Sequence, residues 1–279
     1  MAVYPIDSIR ADLTQRHATG SFAKITAVAS QAPSNSATLI PFIPLAEGSR
    51  SDAVARRLSD AIKLGLIGDG DQLPAEAELA AQLGVATVTL REALAALRRE
   101  GLIETRRGRT GGSFVRSPPA TSLERVRELL RELSADELRD LGDYRVAVSG
   151  ASAGLAAARG SPFEVRQLAH QAGEVAKAPG RASSRRADSR FHIKLAAIGH
   201  STRLTRAEIA IQAEIGELLL LLHEDGTERG RAATEHEAIM AAVSARDGER
   251  ARPLAEAHVA ADSARLIELH IELAGGRPR

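Results

Sequence analysis

The sequence has no cysteine and no tryptophan, and aromatic residues make up only 3% of its 279 residues. The absence of cysteine excludes disulfide bonds, thiolate zinc sites and cysteine nucleophiles. It is compatible with a reducing cytoplasm, where we expect the protein to act. With so few aromatic residues, alanine and leucine must supply the core. This composition favours helix-on-helix packing, because sheets are richer in β-branched and aromatic residues.

Long apolar runs are lacking as well. A run such as Leu218–Leu222 is far too short to span a bilayer, and the N-terminus shows no basic segment followed by an apolar stretch, so we expect no signal peptide. The formal net charge is only +1. Arginines nevertheless cluster in one segment that contains few opposing glutamates, at Arg91, Arg98, Arg99, Arg106, Arg107, Arg109 and Arg116. Local positive charge of this kind indicates an anionic partner.

The chain divides into three regions. Residues 1–48 are rich in Ala, Ser and Thr, and we expect a disordered arm there. In residues 49–117, helical patterns begin near Ser51, at AEAELAAQLG and at TLREALAALRREG, with VATV as the turn between the last two. LIETRRGRTGGSFV then reads as two short strands around a glycine-rich tip. Three helices followed by a hairpin predict a winged helix-turn-helix.

The third region, residues 118–275, follows a Ser-Pro-Pro linker and contains only helical patterns. We predict a mainly α protein whose C-terminal domain is an all-helical antiparallel bundle. Pro253 is expected to delay the start of the last helix. The predicted helices cover approximately residues 122–133, 136–158, 162–177, 184–199, 202–223, 230–246 and 249–273.

Residues at the start of the third helix suit contact with DNA. The hydroxyl groups of Thr87 and Thr89 can bond phosphates, the methyl group of a threonine can touch thymine, and Arg91 lies within the first turns. The hairpin arginines could enter or straddle the minor groove. Any one of these arginines alone would be read as part of a solvated basic face. The order helix-turn-helix-wing is what favours DNA binding.

The stretch DQLPAEAELAAQLGVATVTLREALAALRREGLIETRRGRTGGSFV resembles the DNA-binding domain of the GntR family of bacterial transcription regulators. The resemblance implies operator contacts by Thr89, Arg91, Arg107 and Gly108, with Thr87 beside them. Where the family usually has arginine, this chain has Ala77 and Thr87. We therefore expect a shifted operator sequence and a shallower salt dependence of binding per half-site.

In the third region, the stretch ADSRFHIKL places Asp188 and His192 one helical turn apart. His236 shares a helix face with Ile239, Met240 and Val243, and His258 lies on the next helix. Taken singly, each histidine is better read as exposed or as hydrogen-bonded in a core, and the Asp188–His192 pair as an ordinary helical pair. Two successive antiparallel helices could nevertheless bring His236 and His258 to one depth.

This order of residues resembles the FCD ligand-binding domain of FadR-type GntR regulators, over most of residues 120–272. The resemblance implies a divalent metal held by Asp188, His192, His236 and His258, with zinc foremost and nickel, manganese or iron(II) as alternatives. It also implies a small organic acid as effector, bound by the metal and by Arg145. Arg145 could equally be a surface arginine, and Ser149 replaces a glutamate that the family commonly has four residues after it.

Three functions follow as alternatives. The first is a homodimeric regulator that binds a double-stranded DNA operator under the control of a carboxylate effector at the metal. The second is a DNA-binding dimer with a purely structural metal, or with none. The third is a metalloenzyme fused to a DNA-binding domain, which is disfavoured because no general base stands in a motif such as HExxH. We therefore predict a protein that is not an enzyme.

Overall fold

The computed structural model describes residues 51–108, 111–117 and 121–275. The predicted arm at 1–48, most of the Ser-Pro-Pro linker and Arg109 lie outside these ranges. The domain boundaries given above therefore stay predictions. None of the described helices is both long enough and apolar enough to cross a membrane.

The N-terminal part is a winged helix-turn-helix. Helices α1 (Ser51–Lys63), α2 (Glu76–Leu83) and α3 (Thr87–Arg99) precede strands β1 (Ile103–Arg106) and β2 (Gly112–Val115). The strands pair antiparallel, with Ile103 opposite Val115 and Arg106 opposite Gly112. Leucines of all three helices meet in one core, including Leu58, Leu79, Leu83, Leu90, Leu94 and Leu97. The helical spacing of these leucines explains why the sequence predicts this part well.

The turn between α2 and α3 is set by Gly84, whose φ of 69° places it in the left-handed region that glycine adopts without strain. Helix α3 begins at Thr87, so the predicted four-residue turn VATV is too long by two residues. The extended residue at the N-cap is Ala86, and Thr87 and Val88 form the first turn despite their β-branched side chains. Alanine offers no side-chain cap, so this helix start carried no capping signal.

The C-terminal part is helical throughout its described residues, as predicted. It consists of α4 (Leu123–Glu132), α5 (Ala135–Arg159), α6 (Pro162–Gln171), α7 (Glu174–Lys177), α8 (Arg181–Ile198), α9 (Thr202–Ile215), α10 (Gly226–Ser244) and α11 (Gly248–Gly275). The long helices α5 and α11 make the most extensive packing. A Cβ atom at Gly150 would overlap the Glu256 side chain, so glycine leaves room for that side chain where the two helices pack.

Three helix predictions differ from the structure. The predicted helix over 162–177 is interrupted after Gln171 and continues only as the short helix α7. The predicted helix over 202–223 ends at Ile215, and Leu218–Leu220 and Leu222–Glu224 form short 3₁₀ turns. Helix α11 begins at Gly248, so the later start expected from Pro253 is wrong and Pro253 lies inside the helix. The leucines of the first 3₁₀ turn are all buried. Their burial is a tertiary effect that sequence periodicity does not report.

Helix α8 lies against the end of α1 and so connects the two parts of the molecule. Ile193 of α8 and Leu64 are both buried in one small cluster. The guanidinium of Arg185 donates a hydrogen bond to the Lys63 carbonyl at 3.3 Å. Gly65, which has a φ of 69°, lies so close to α8 that an added Cβ atom would come within 2.9 Å of Arg186 Cδ.

Candidate functional site

Three helices bring four potential metal ligands together in the interior of the C-terminal part. Asp188 and His192 lie on α8, His236 on α10 and His258 on α11. All four are buried, with at most 1% of their surface exposed. The structure therefore brings together every residue that the sequence predicted for the metal.

The ligand atoms of these residues lie within 4.8 Å of one another. The Nε2 atom of His258 is 3.2 Å from that of His192 and 3.1 Å from that of His236. The Oδ1 atom of Asp188 is 3.4 Å from His236 Nε2 and 3.9 Å from His192 Nε2. We refer to these four side chains as the ligand cluster.

The geometry and the donor set both fit a divalent metal. Nitrogen ligands bound to zinc at about 2.0–2.1 Å lie roughly 2.8–3.4 Å apart for bond angles between 90° and tetrahedral. The distances from His258 Nε2 to the Nε2 atoms of His192 and His236 fall in that range. Asp188 Oδ2 also has no hydrogen-bond partner among the described residues. An unpaired buried carboxylate oxygen is costly, and binding to a cation would remove that cost.

Burial sets the protonation of two of the histidines. It lowers the pKa of His192 well below its ordinary value, and the neighbouring imidazoles of His258 and His236 act in the same direction. Burial also lowers the pKa of His236 well below its ordinary value. Both rings are therefore neutral near pH 7, which is the form that offers a lone pair to a metal.

Asp188 and His258 are shifted in the other direction. Burial raises the pKa of Asp188, although the charges of His223 and His258 oppose that shift. Burial acts to lower the pKa of His258, but the charge of Asp262 and the hydrogen bond to Glu235 outweigh it, so the pKa of His258 lies above its ordinary value. A bound cation would favour the ionised carboxylate and the neutral imidazole.

Arg145 is buried, which rules out its reading as a surface arginine. Only 1% of the residue is exposed. Its Nη1 atom donates to Ser263 Oγ at 3.2 Å and to the Val259 carbonyl at 3.4 Å, and its Nη2 atom lies 3.5 Å from Asp262 Oδ2. Nη2 makes no hydrogen bond within the described part of the chain, and neither does the buried hydroxyl of Ser149. Donors therefore remain available beside Arg145 for a ligand.

Sequence reasoning missed several polar residues near the ligand cluster, of which Glu208, Gln212, His223 and Asp262 are buried and Glu235 is about one-third exposed. Burial acts to raise the pKa of Asp262, but the charges of His258 and Arg145 and the hydrogen bond from Arg231 lower it to about 2. Burial raises the pKa of Glu208, which shares a hydrogen bond with Gln212. The position of Asp262, four residues after His258 on one helix, was a signal that could have found it.

The predicted DNA-contacting residues lie in α3 and in the wing of the N-terminal part. Thr87, Thr89 and Arg91 occupy the first two turns of α3, and Arg91 is exposed and pairs with Glu76 at 2.7 Å. Arg107 and Gly108 follow β1 in the wing and are exposed. No side chain caps the start of α3, so its first backbone amides can bind a phosphate.

The wing is braced by contacts within the hairpin. Glu104 on β1 accepts hydrogen bonds from Arg106 at 2.8 Å and from Arg116 at 2.9 Å. The Arg106 guanidinium also lies 4.1 Å from the centroid of the Phe114 ring. These two arginines therefore hold the hairpin, whereas Arg107, which is exposed in the described part of the wing, takes part in neither contact.

Comparisons with known proteins agree with both parts. A family model described as "Bacterial regulatory proteins, gntR family" matches residues 50–115, and a model described as "FCD domain" matches residues 140–261.

Relatives align over most of the chain. The candidate HTH-type regulator RmpR of Mycobacterium gastri is 38% identical over 237 residues, which cover 84% of this chain and 86% of that protein. A candidate L-lactate dehydrogenase operon regulatory protein of Escherichia coli K12 is 32% identical over 219 residues, covering 75% and 83%. A crystal structure of a candidate GntR regulator from Rhodococcus sp. RHA1 aligns with a TM-score of 0.44 at 24% identity, covering 78% and 97%.

Proposed function

This chain belongs to the GntR family of bacterial regulatory proteins and carries an FCD domain, and from that premise we propose how its binding to DNA is controlled. A small carboxylate effector binds at a divalent metal in the C-terminal domain and changes the affinity of the winged domain for its operator. The observation that carries this proposal is the convergence of four buried ligand atoms within 4.8 Å.

The winged domain reads the operator through α3 and the wing. Arg91 breaks its exposed ion pair with Glu76 and binds a base edge or a phosphate of the DNA instead. Exposed ion pairs contribute only about 0–1 kcal/mol, so this exchange costs little. Thr87 and Thr89 bond phosphates near the start of α3, and Arg107 with Gly108 approaches the minor groove.

The metal is held by Asp188, His192, His236 and His258. One carboxylate and three imidazoles suit zinc first, with nickel, manganese and iron(II) as alternatives. A bound divalent ion would supply a positive charge that attracts a carboxylate. The three imidazole ligands are neutral when they bind a metal, and Asp188 carries only one negative charge. The site with a divalent ion would therefore keep a net positive charge.

The effector is a small organic acid whose carboxylate is oriented by Arg145. The buried guanidinium supports this role because its Nη2 donor makes no hydrogen bond among the described residues. Arginine binds carboxylates through two parallel hydrogen bonds, which gives both strength and orientation. The name of the E. coli relative, which refers to an operon for L-lactate dehydrogenase, also favours a small organic acid.

Control requires a homodimer, because a palindromic operator needs two winged domains at a fixed spacing. The effector would favour one packing of the helical bundle over another. Helix α8 offers the connection, since it carries Asp188 and His192 and also contacts the end of α1 through Arg185 and Ile193.

Two variants test the proposal, with operator DNA first selected from a random pool by the wild-type protein. We expect His192→Ala to remove the response of operator binding to metal and small carboxylates while leaving basal affinity for DNA. We expect Arg91→Ala to weaken operator binding by about 1–3 kcal/mol while leaving metal binding intact. An unchanged effector response in His192→Ala would exclude the metal from sensing.

A purely structural metal is the second candidate, because the ligand cluster links three helices. In that case a chelator would lower the melting temperature, but no carboxylate would change operator binding in the metal-loaded protein.

A further inference from the structure

Glu235 makes a short contact with one member of the ligand cluster. Its Oε2 atom lies 2.6 Å from Nδ1 of His258, on the side of the ring away from the other imidazoles. The Nε2 atom of the same ring faces the Nε2 atoms of both His192 and His236. The two nitrogens of His258 therefore have different partners, a carboxylate on one side and the ligand cluster on the other.

A carboxylate at this distance fixes which nitrogen of the neutral ring carries the hydrogen. An ionised carboxylate only accepts hydrogen bonds, so Nδ1 must be the donor. The neutral ring then has a bare lone pair on Nε2, which is the atom that faces the ligand cluster. Histidine ligands of metals are commonly held by such an outer hydrogen bond, which sets the tautomer and the orientation of the ring.

Glu235 is itself held in place. Arg231 donates to the same Oε2 atom at 2.6 Å, to Glu228 at 2.9 Å and to Asp262 Oδ1 at 2.9 Å. The other oxygen of Asp262 lies 3.5 Å from Arg145 Nη2. Glu235 and Arg231 are each about one-third exposed, so a single ion pair between them would be weak. The position of Glu235 is therefore fixed by the network of contacts that Arg231 makes with Glu228, Glu235 and Asp262 together.

We propose that Glu235 is a positioning residue for the metal: it holds His258 in the Nδ1–H tautomer with Nε2 aimed at the ligand cluster, and Arg231 fixes Glu235 in that position. The inference rests on the metal site of the proposed function. It identifies Glu235, which is not one of the four ligands, as a residue that metal affinity depends on.

The test measures the affinity of the full-length dimer for Zn²⁺ by competition with a chromophoric chelator. We expect Glu235→Ala to weaken zinc binding about 10–100-fold, the usual effect of losing an outer partner of a ligand. Glu235→Gln keeps an oxygen acceptor for Nδ1–H, so we expect it to recover part of that loss. Glu228→Ala is the matched control, because Glu228 also accepts a hydrogen bond from Arg231 but bonds no histidine among the described residues, and its zinc affinity should match the wild type.

Two further readouts separate positioning from a general loss of structure. Nitrogen-15 NMR of histidine-labelled, metal-free protein, recorded at an alkaline pH at which the His258 ring is neutral, should show the Nδ1–H form of His258 in the wild type and in Glu228→Ala, but a mixture of tautomers in Glu235→Ala. Circular dichroism should show that every variant used in the zinc titration is folded. If Glu235→Ala fails to fold, the comparison of Glu235→Gln with Glu228→Gln decides instead, with weaker zinc binding expected only in Glu235→Gln.

The outcomes distinguish the inference from its premise. Equal zinc affinity in the wild type and Glu235→Ala, or an equal loss in Glu228→Ala, would overturn the role of Glu235 and leave the metal site standing. A wild-type protein that binds neither zinc nor nickel, manganese or iron(II) would overturn the metal site itself, and the role of Glu235 with it.

Discussion

The buried histidines of the ligand cluster lower the stability of the metal-free fold, but they form a site that a cation can occupy. His192 and His236 are buried in a neutral state, although unfolded histidines take up a proton near pH 6.5. The ring of His236 also stacks on Phe191 with centroids 3.8 Å apart, so packing offsets part of this cost. The sequence was enough to identify the aspartate and the three histidines as candidate ligands, because few such residues lie on the predicted helix faces. It could not show that the four side chains meet at one point, because that depends on how the helices pack.

At this scale we expect a pH dependence of stability in the metal-free protein. The pKa values of His192 and His236 are lower in the folded than in the unfolded state, so the unfolded state binds more protons below about pH 6.5. The free energy of unfolding should fall as pH decreases from 7.5 to 5.5, by up to about 1.4 kcal/mol per pH unit for each histidine. The raised pKa of His258 acts in the opposite direction and offsets part of the fall.

Urea unfolding in the presence of a chelator at these two pH values measures the effect. His236→Phe keeps the stacking on Phe191 and removes one titrating group, so its stability should depend less on pH than that of the wild type. An equal or steeper dependence in this variant would mean that His236 is not held neutral in the fold.

At the scale of elements, α8 joins the candidate sensor to the DNA-binding part. One side of this helix carries Asp188 and His192, and Ile193 packs against Leu64 just after α1. Sequence periodicity predicted most helices of this domain within a few residues, because buried positions recur along each helix. It could not predict the contact of Leu64 with Ile193, which are 129 positions apart (193 − 64) in the sequence. The end of α9 before Gly216 was likewise missed.

We expect Ile193→Ala to destabilise the protein by about 2–5 kcal/mol, since it deletes three buried carbon atoms at a site with no exposed surface. It should also weaken the effect of metal and carboxylate on operator binding, because it loosens the contact between α8 and α1.

The matched control is Ile271→Ala on α11, where the isoleucine is 59% exposed. Chemical unfolding and operator titrations should leave this variant close to the wild type. Equal losses in the two variants would show that the effect of Ile193→Ala is not specific to the α1–α8 contact.

At the scale of the whole molecule, the regulator combines a reader of DNA with a candidate sensor in a second domain. The order of elements in the winged domain was predictable because turn and periodicity signals agree there. The C-terminal domain was predictable as a helical bundle, but its buried polar network was not. Asp262, Arg231 and Glu235 look like ordinary helix-surface charges in the sequence, and only the fold turns them toward Arg145 and His258.

The salt dependence of operator binding tests the reader as a whole. Ala77 is exposed and Thr87 is partly exposed, and both stand where the family usually has arginine. Each added phosphate contact steepens the plot of log affinity against log salt by about 0.9. We therefore expect Thr87→Arg to steepen this slope by about one unit per half-site.

Thr227→Arg is the control, because Thr227 lies at the exposed start of α10 in the other domain. Its slope should match the wild type. A wild-type slope already as steep as that of Thr87→Arg would show that other residues replace the missing contact.

The metal content of the purified protein, measured by plasma mass spectrometry together with operator binding, tests most directly whether the ligand cluster holds a metal. We predict about one divalent ion per chain in the wild type, as expected for one four-ligand site, and almost none in His192→Ala, which should still bind its operator. A wild-type protein that remains without metal after incubation with zinc, nickel, manganese and iron(II), or a His192→Ala variant with the wild-type metal content, would contradict this prediction.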